Sequence, residues 1–514
     1  MKRQITFTVL ILFINILTAQ IINIPQDYPT IQEGINAANN GDTVLVDPGV
    51  YKENLSIWYK AITLASQFII SGDSSLINNT IIDGDTSGAV LDIFVYCQGQ
   101  STSEINGFRI TNGKSNEGGG VNIWQAQPSM GTVVILKSLL IDNNKANFRG
   151  GGISATTWCK ADSSYILNLQ NVIIASNNLT GLMAKGGGLY CDSINIVLQN
   201  VTINNNQTTY VYGLGGGAYF LNSQVYLINT SIFSNEVHTG AMQEWAGGGL
   251  FFDQSHAKII NSLLYDNHPE VIFLSDSDLD ITNTTISQDD YDYWSIGGFV
   301  NQLNLINSII WPEDYYWQPI QINGNINISF CNIRGGQGSV SGNVNWLEGN
   351  IDQDPLFQGS GEHPFQISQG SPCIDAGTTD TLGLNLPVYD LRNNVRIWDG
   401  NGNGEAIIDM GAYEYGALPV NIQNNWNEDS EDEIRIYPNP CTHLLNIEFD
   451  LERACISTLI IHDQIGREVE QIEFGHTSSG KHILQYETDK LPAGIYFISI
   501  NSRYTRRVKK IIKL

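Results

Sequence analysis

Basic residues are scarce in this chain. Lys plus Arg number 26 against 52 Asp plus Glu, a formal net charge of −26, and only 13 of the 26 bases lie between residues 21 and 430. So acidic a body is not built to hold a phosphate backbone, and the shortage also argues against strongly anionic substrates. Cysteine is sparse too: the seven are scattered without CxxC spacing, so a zinc cluster lacks support and a dense disulfide framework has little. Cys441 and Cys455 are near enough in sequence to pair, and the odd total leaves at least one thiol free. Long apolar runs are missing. The stretch 9–17 is too short to span a bilayer as a helix. It follows Met1-Lys2-Arg3 and leads to Thr18-Ala19 before Gln20, the order of a signal peptide, so residues 1–19 are expected to be removed and the mature protein to be soluble or anchored by other means.

What the sequence has is a repeat. Asn171, Asn200, Asn229, Asn261, Asn283 and Asn307 sit in similar frames (NLQNVII, VLQNVTI, LINTSIF, IINSLLY, ITNTTIS, LINSIIW), spaced by 29, 29, 32, 22 and 24 residues. Apolar residues stand two and four places before each of the first four and three after it, as with Leu167, Leu169 and Ile174 around Asn171. The alternation changes phase at the Asn, so the chain bends there with apolar side chains inside on both arms. Asn suits the bend, because it tolerates unusual backbone angles and its amide can bond to the same amide one coil away. A second Asn column (144, 177, 206, 235, 267) and Gly triplets at 118–120, 150–152, 186–188, 215–217 and 247–249 mark two further corners. Three short strands and three corners per coil describe a triangular parallel solenoid with a rise of ~4.8 Å per coil, and about ten coils fill residues 20–345. A leucine-rich repeat would need a helical return arm and a propeller longer blades. The fold class is therefore all-β, a right-handed parallel β-helix followed by a small antiparallel β-sandwich.

Residues 22–57, INIPQDYPTIQEGINAANNGDTVLVDPGVYKENLSI, resemble the N-terminal cap and first coil of the pectate-lyase-like β-helix superfamily, which implies a short amphipathic helix over residues 30–38 plugging the solenoid. An uncapped first coil would expose an open core. Asp354-Pro-Leu-Phe357, Ser371-Pro-Cys-Ile-Asp-Ala-Gly377 and Asp409-Met-Gly-Ala-Tyr-Glu-Tyr415 resemble the choice-of-anchor segments that follow bacterial β-helices, so residues 346–420 are expected to close the rod's C-terminal end. A polar, acidic linker covers 421–432. In 433–514, Ile436-Tyr-Pro-Asn-Pro440, Gly466-Arg-Glu-Val469, Leu491-Pro-Ala-Gly-Ile-Tyr496 and Arg506-Arg507-Val-Lys-Lys510 resemble the type A C-terminal sorting domain of the type IX secretion system of Bacteroidetes-type bacteria. That resemblance implies partnership with the type IX machinery and a secreted or outer-surface location. Alternation in LLNIEFD, STLIIHD, KHILQYE and GIYFISI independently predicts the small sandwich.

The candidate site follows from the solenoid. Variable insertions precede each Gly triplet, so loops line up on one flank beside the strand that follows. On that strand the second residue should point outward, giving Tyr190, Tyr219 and Phe251 as an aromatic column, with Asp192 and Asp253 two places on. Rings of this kind stack on sugars while carboxylates accept hydroxyl hydrogen bonds, so the expected partner is a polysaccharide or cell-surface glycan. The competing reading is that the column braces the solenoid.

Catalysis has thinner support. A pectate lyase resemblance calls for a calcium-binding acidic cluster and a basic Arg, yet Arg109 and Arg149 are the only arginines in the coils before Arg334. A polygalacturonase resemblance calls for paired aspartates, for which Asp289 and Asp290 are candidates, with a Gly-His-Gly and an Arg-Ile-Lys that are absent. These gaps favour binding without cleavage. The alternatives are a polysaccharide lyase or glycoside hydrolase, and a non-enzymatic adhesin or surface-structure protein. His256, His268 and Asp266 lie near one coil end but read as scattered polar residues. Asp399, Asn401, Asn403 and Glu405 resemble the first half of a calcium loop, whose twelfth position is here Met410 where a bidentate Glu belongs.

Overall fold

The computed structural model describes residues 19–95, 101–125, 132–157, 166–209, 212–238, 246–288, 294–313, 318–417 and, within 435–513, all but short stretches. They form two compact units, Met1–Val420 and Asn421–Leu514.

The first unit is the parallel β-helix. Three stacked sheets of 20, 11 and 5 strands are built from parallel pairs, and the 11-stranded sheet takes one short strand from each coil, which sets the coil count at eleven. The Asn column is a vertical ladder, as its spacing requires: Asn200 Nδ2 donates to Asn171 Oδ1 at 3.0 Å, Asn229 to Asn200 at 3.1 Å and Asn261 to Asn229 at 2.7 Å. All four hold φ between +52° and +54°, the left-handed region that Asn enters at least cost among residues with side chains.

Two details differ from the three-cornered expectation. Each central coil has four strands, for example Leu189–Asp192, Asn195–Gln199, Thr202–Asn204 and Gln207–Thr208. The additional bend falls on Ser193, Asn222, Gln254 and Asp276, all at φ of +46° to +59°. The second Asn column does not itself bend the chain either. The left-handed residues are its neighbours Asn143, Ser176, Asn205, Ser234 and Asp266, while Asn144, Asn177, Asn206, Asn235 and Asn267 point into the corner at 0–1% exposure. Each fills its corner with hydrogen bonds. Asn206 Nδ2 donates to Ile174 O and Asn235 Oδ1, both at 2.9 Å, and Asn206 Oδ1 accepts from Asn177 N and Nδ2, both at 3.0 Å.

The interior is one continuous apolar column, from Ile22 and Ile31 at one end to Ile328 and Val340 at the other. The expected cap is the helix Ile31–Ala37, whose Ile31 and Ile35 are buried in the first coil. Thr30 Oγ1 accepts from Glu33 N at 3.2 Å. The next coil satisfies both helix ends. Glu53 accepts from Ile31 N and Gln32 N at 3.0 Å, and Lys60 Nζ donates to Ile35 O, Asn36 O and Ala38 O at 2.7–2.8 Å. An acid at the N-terminus and a base at the C-terminus also suit the helix dipole.

After the last coil strand, Val340–Trp346, an irregular strap begins with a bridge between Ile351 and Asn332. It then runs back along the Asn corner. Gly411 N donates to Asn307 O at 2.7 Å, Thr378 N to Asn307 Oδ1 at 2.8 Å, Asn283 Nδ2 to Asp409 O at 2.9 Å and Asn261 Nδ2 to Tyr389 O at 2.9 Å. The strap thus uses amides that the ladder leaves over. Its centre buries Arg396 beside Glu414, 3.8 Å apart at 2% and 0% side-chain exposure, with Asp390 and Asp409 also buried. Desolvation raises the Glu414 carboxyl well above its usual range and pushes Asp409 up to about 7.

The second unit holds antiparallel sheets of three and four strands around Leu445, Ile447, Leu459, Ile461, Ile498 and Ile511. Cys441 is a buried free thiol there, so the suggested pairing with Cys455 is not made.

Candidate functional site

On the flank after the Gly corners, alternate residues of successive strands leave the core in two vertical rows. One row runs Ser56, Asp92, Asn122, Ser154, Tyr190, Tyr219, Phe251, Phe273, and the other Trp58, Phe94, Trp124, Thr156, Asp192, Leu221, Asp253, Ser275.

The structure brings Tyr190, Tyr219, Phe251, Asp192 and Asp253 together, outside the main core. The rings stack at centroid distances of 5.7 Å and 5.0 Å, and Phe273 extends the column at 5.2 Å. The expected open faces are corrected: Tyr190, Tyr219 and Phe251 are only 1%, 0% and 5% exposed. The cause is the Gly corner. Gly215 takes φ +67°, and a Cβ there would stand 3.0 Å from Tyr219 Cβ, so the preceding chain folds down onto the rings. Arg149, Lys185 and Leu214, which precede three of the triplets and bridge one another between coils, form the cover. The Arg149 guanidinium sits 5.1 Å from the Tyr190 centroid and Lys185 Nζ 4.5 Å from that of Tyr219. Lys185 Nζ donates to Tyr219 OH at 2.8 Å, and that hydroxyl donates to Asp253 at 2.6 Å. Tyr190 OH donates to Asp192 at 3.4 Å. Burial drives both phenols far above their usual range and lowers the Lys185 ammonium. The stack is a brace whose half-exposed rim is Asp192 and Asp253.

The open aromatics begin four coils before Tyr190, in residues that the repeat did not single out. Trp58 and Tyr59 are 53% and 55% exposed, and Phe94 and Trp124 are half-buried beside them. Trp58, Phe94 and Trp124 are direct neighbours in register. Phe94 lies 6.5 Å from Trp58 and 5.1 Å from Tyr59, tilted by 58° and 66°. Tyr59 is held outward at φ +59°. In the neighbouring row, Asp92 accepts from Asn122 Nδ2 at 2.9 Å and, across the rows, from Trp58 Nε1 at 3.4 Å, and burial raises its carboxyl. Asn122 Oδ1 is buried without a hydrogen-bond partner. The missed signal was the likeness of LDIFV to VNIWQ, obscured because Gly88-Ala89-Val90 replaces a Gly triplet.

A second concavity of about 470 Å³ crosses the adjoining face. Its wall includes Tyr226, His256, Lys258, Asp278, Asp280 and Asn304. Its polar groups pair across coils, His256 Nδ1 with Asp278 at 2.9 Å and the Lys258 ammonium with Asp280 at 3.2 Å.

Asp289 and Asp290 lie outside the described residues. In the calcium-like loop, Asp399 accepts from Gly402 N, Asn403 N and Gly404 N at 2.7–3.1 Å, Asn401 from Asn403 N at 3.0 Å and Asn403 from Glu405 N at 2.7 Å. These oxygens thus bind the loop's own backbone. Among the described residues no group of three or more His, Cys, Asp or Glu is placed to hold a metal ion.

No helix among the described residues is long and apolar enough to cross a membrane. No curated protein matches the chain. Residues 435–514 match the family model of the secretion system C-terminal sorting domain, so the protein is one that engages the type IX secretion machinery and is secreted or attached to the cell surface.

Proposed function

We propose that this protein is an extracellular glycan-binding rod of pectate-lyase-like architecture that holds a polysaccharide on the flank after the Gly corners without cleaving it. The observation that carries the reading is the platform on three adjacent coils in which Trp58 and Tyr59 are exposed and Phe94 and Trp124 half-buried, with Asp92 and Asn122 in the row beside them. Exposed aromatics in a row are costly to leave in water and are matched by the apolar faces of sugar rings. Asp92, half-buried beside the platform, would accept hydroxyl hydrogen bonds. Asp192 and Asp253 continue the acceptor row along the same flank. The scarcity of bases favours neutral chains over polyuronates.

A polysaccharide panel against the full chain tests this. Each lost stacking contact should cost roughly 1 kcal/mol, by analogy with aromatic pairs, so Trp58→Ala with Trp124→Ala should weaken binding by at least about tenfold. Unchanged affinity in that variant would remove the platform from the reading.

A further inference from the structure

From a different edge of the rod we infer a self-association ridge. The turns that precede the Gly corners carry Phe148, Leu182, Met183 and Tyr212, which are 49%, 64%, 70% and 61% exposed. They are neighbours in space. Arg149, Lys185 and Leu214 bridge one another between adjacent coils, so Met183 and Tyr212, each two places earlier, occupy the same station one coil apart. Lys185 N donates to Phe148 O at 2.9 Å, which places Phe148 on the coil before. The side chains beside this row include amides and a hydroxyl, Asn147 Nδ2 donating to Asn116 Oδ1 at 2.8 Å and Thr180 Oγ1 to Asn147 Oδ1 at 3.2 Å, and the Arg149–Glu117 pair at 3.6 Å, whose charges offset each other.

Backbone strain gives the row its meaning. Met183 and Tyr212 take φ of +58° and +79°, a region that bulky side chains enter only at a cost Gly and Asn largely escape. The chain fills comparable positions with Asn or Gly at most of its other corners. Two large side chains, 70% and 61% exposed in this conformation on successive coils, mark an edge where open surface is kept at a cost in backbone strain.

A second copy of this chain is the occupant that fits. The ridge repeats at the coil rise of ~4.8 Å, a pitch that an identical ridge matches over three coils. Aromatic side chains carry roughly 150–250 Å², so the four side chains leave roughly 400–500 Å² open per copy, and two copies would bury about 900 Å², the size of a weak, reversible contact. At a net charge of −26 two copies repel across most of their surface, and the apolar ridge lets them meet without opposing like charges. The same charge disfavours an anionic lipid surface.

Sedimentation equilibrium of the full chain at low and high salt tests the inference. A concentration-dependent dimer is expected, strengthened by salt as repulsion is screened. The Met183→Asn, Tyr212→Asn variant should dissociate at least about tenfold more readily while its melting temperature holds or rises, because Asn relieves the strain. A wild-type chain that stays monomeric at every soluble concentration would overturn the proposal, whatever else it binds. So would a variant that dimerises unchanged, or one that loses the dimer only together with folding stability.

Discussion

Replacing Asn206 by Ala should destabilise the rod severely, whereas replacing Asn200 by Gly should hardly be felt, although the two residues stand six places apart in equally regular columns. The Asn206 side chain makes four buried hydrogen bonds, two donated and two accepted. Each is worth about 1 kcal/mol net, and leaving the Asn177 N–H and the Ile174 carbonyl unpartnered inside adds about 1–3 kcal/mol for each group left wholly unsatisfied. Relaxation and overlap between these terms bring the expected loss to about 3–6 kcal/mol. Asn200 instead shares exposed amide bonds with Asn171 and Asn229, and Gly accepts its φ of +54° without strain. Its loss should stay below about 1 kcal/mol. Guanidinium unfolding followed by the rod's tryptophan fluorescence reads both changes. If Asn206→Ala cost under about 1 kcal/mol, or Asn200→Gly cost as much as Asn206→Ala, the division into an interior and a surface ladder would be wrong.

The brace gives a graded pair of outcomes. Tyr219→Ala should lower stability by about 3–5 kcal/mol, as for other large aromatic truncations, while Tyr219→Phe should cost about 1–3 kcal/mol by breaking the Lys185–Tyr219–Asp253 chain; thermal unfolding separates them, and equal effects would deny the hydroxyl its role. Tyr190→Ala should leave glycan affinity within about twofold in molecules that remain folded, since its ring is covered; a larger loss by calorimetry would return the brace to the binding surface. The strap should loosen as pH rises. The Asp409 carboxyl is raised from its ordinary 3.8 to about 7 when docked, so the docked form holds its proton longer, and its advantage fades as pH climbs through that interval. Amide protection at Gly411 and Ala412, corrected for intrinsic exchange, should be higher near about pH 5.5 than about pH 8; the reverse order would show that Arg396 keeps the site ionised throughout.

The solenoid was legible because its rules recur in every coil. The Asn171 column announced a bend through a phase change in the alternation, and the Gly triplets marked positions that no Cβ can occupy: at Gly187 one would lie 2.2 Å from the carbonyl oxygen of Gly216. The fourth bend was not legible, because Ser, Asn, Gln and Asp share it and no single residue type repeats. The covered state of Tyr190 and Tyr219 was hidden for a related reason. Their lids, Arg149 and Lys185, read as loop cations, and only the fold shows their charged ends lying over aromatic faces. Trp58 was missed because its coil precedes the first Gly triplet, so the frame that located Tyr190 did not extend to it.

The clamp on the first helix bears on the order in which the rod winds. Seven residues are too few to hold a helix unaided, and the groups that tie this one down, Glu53 and Lys60, arrive roughly two dozen residues later in the chain. The plug therefore cannot set before the following turn is laid against it. The leading end is thus sealed from behind, by groups the chain supplies only after it has gone once around.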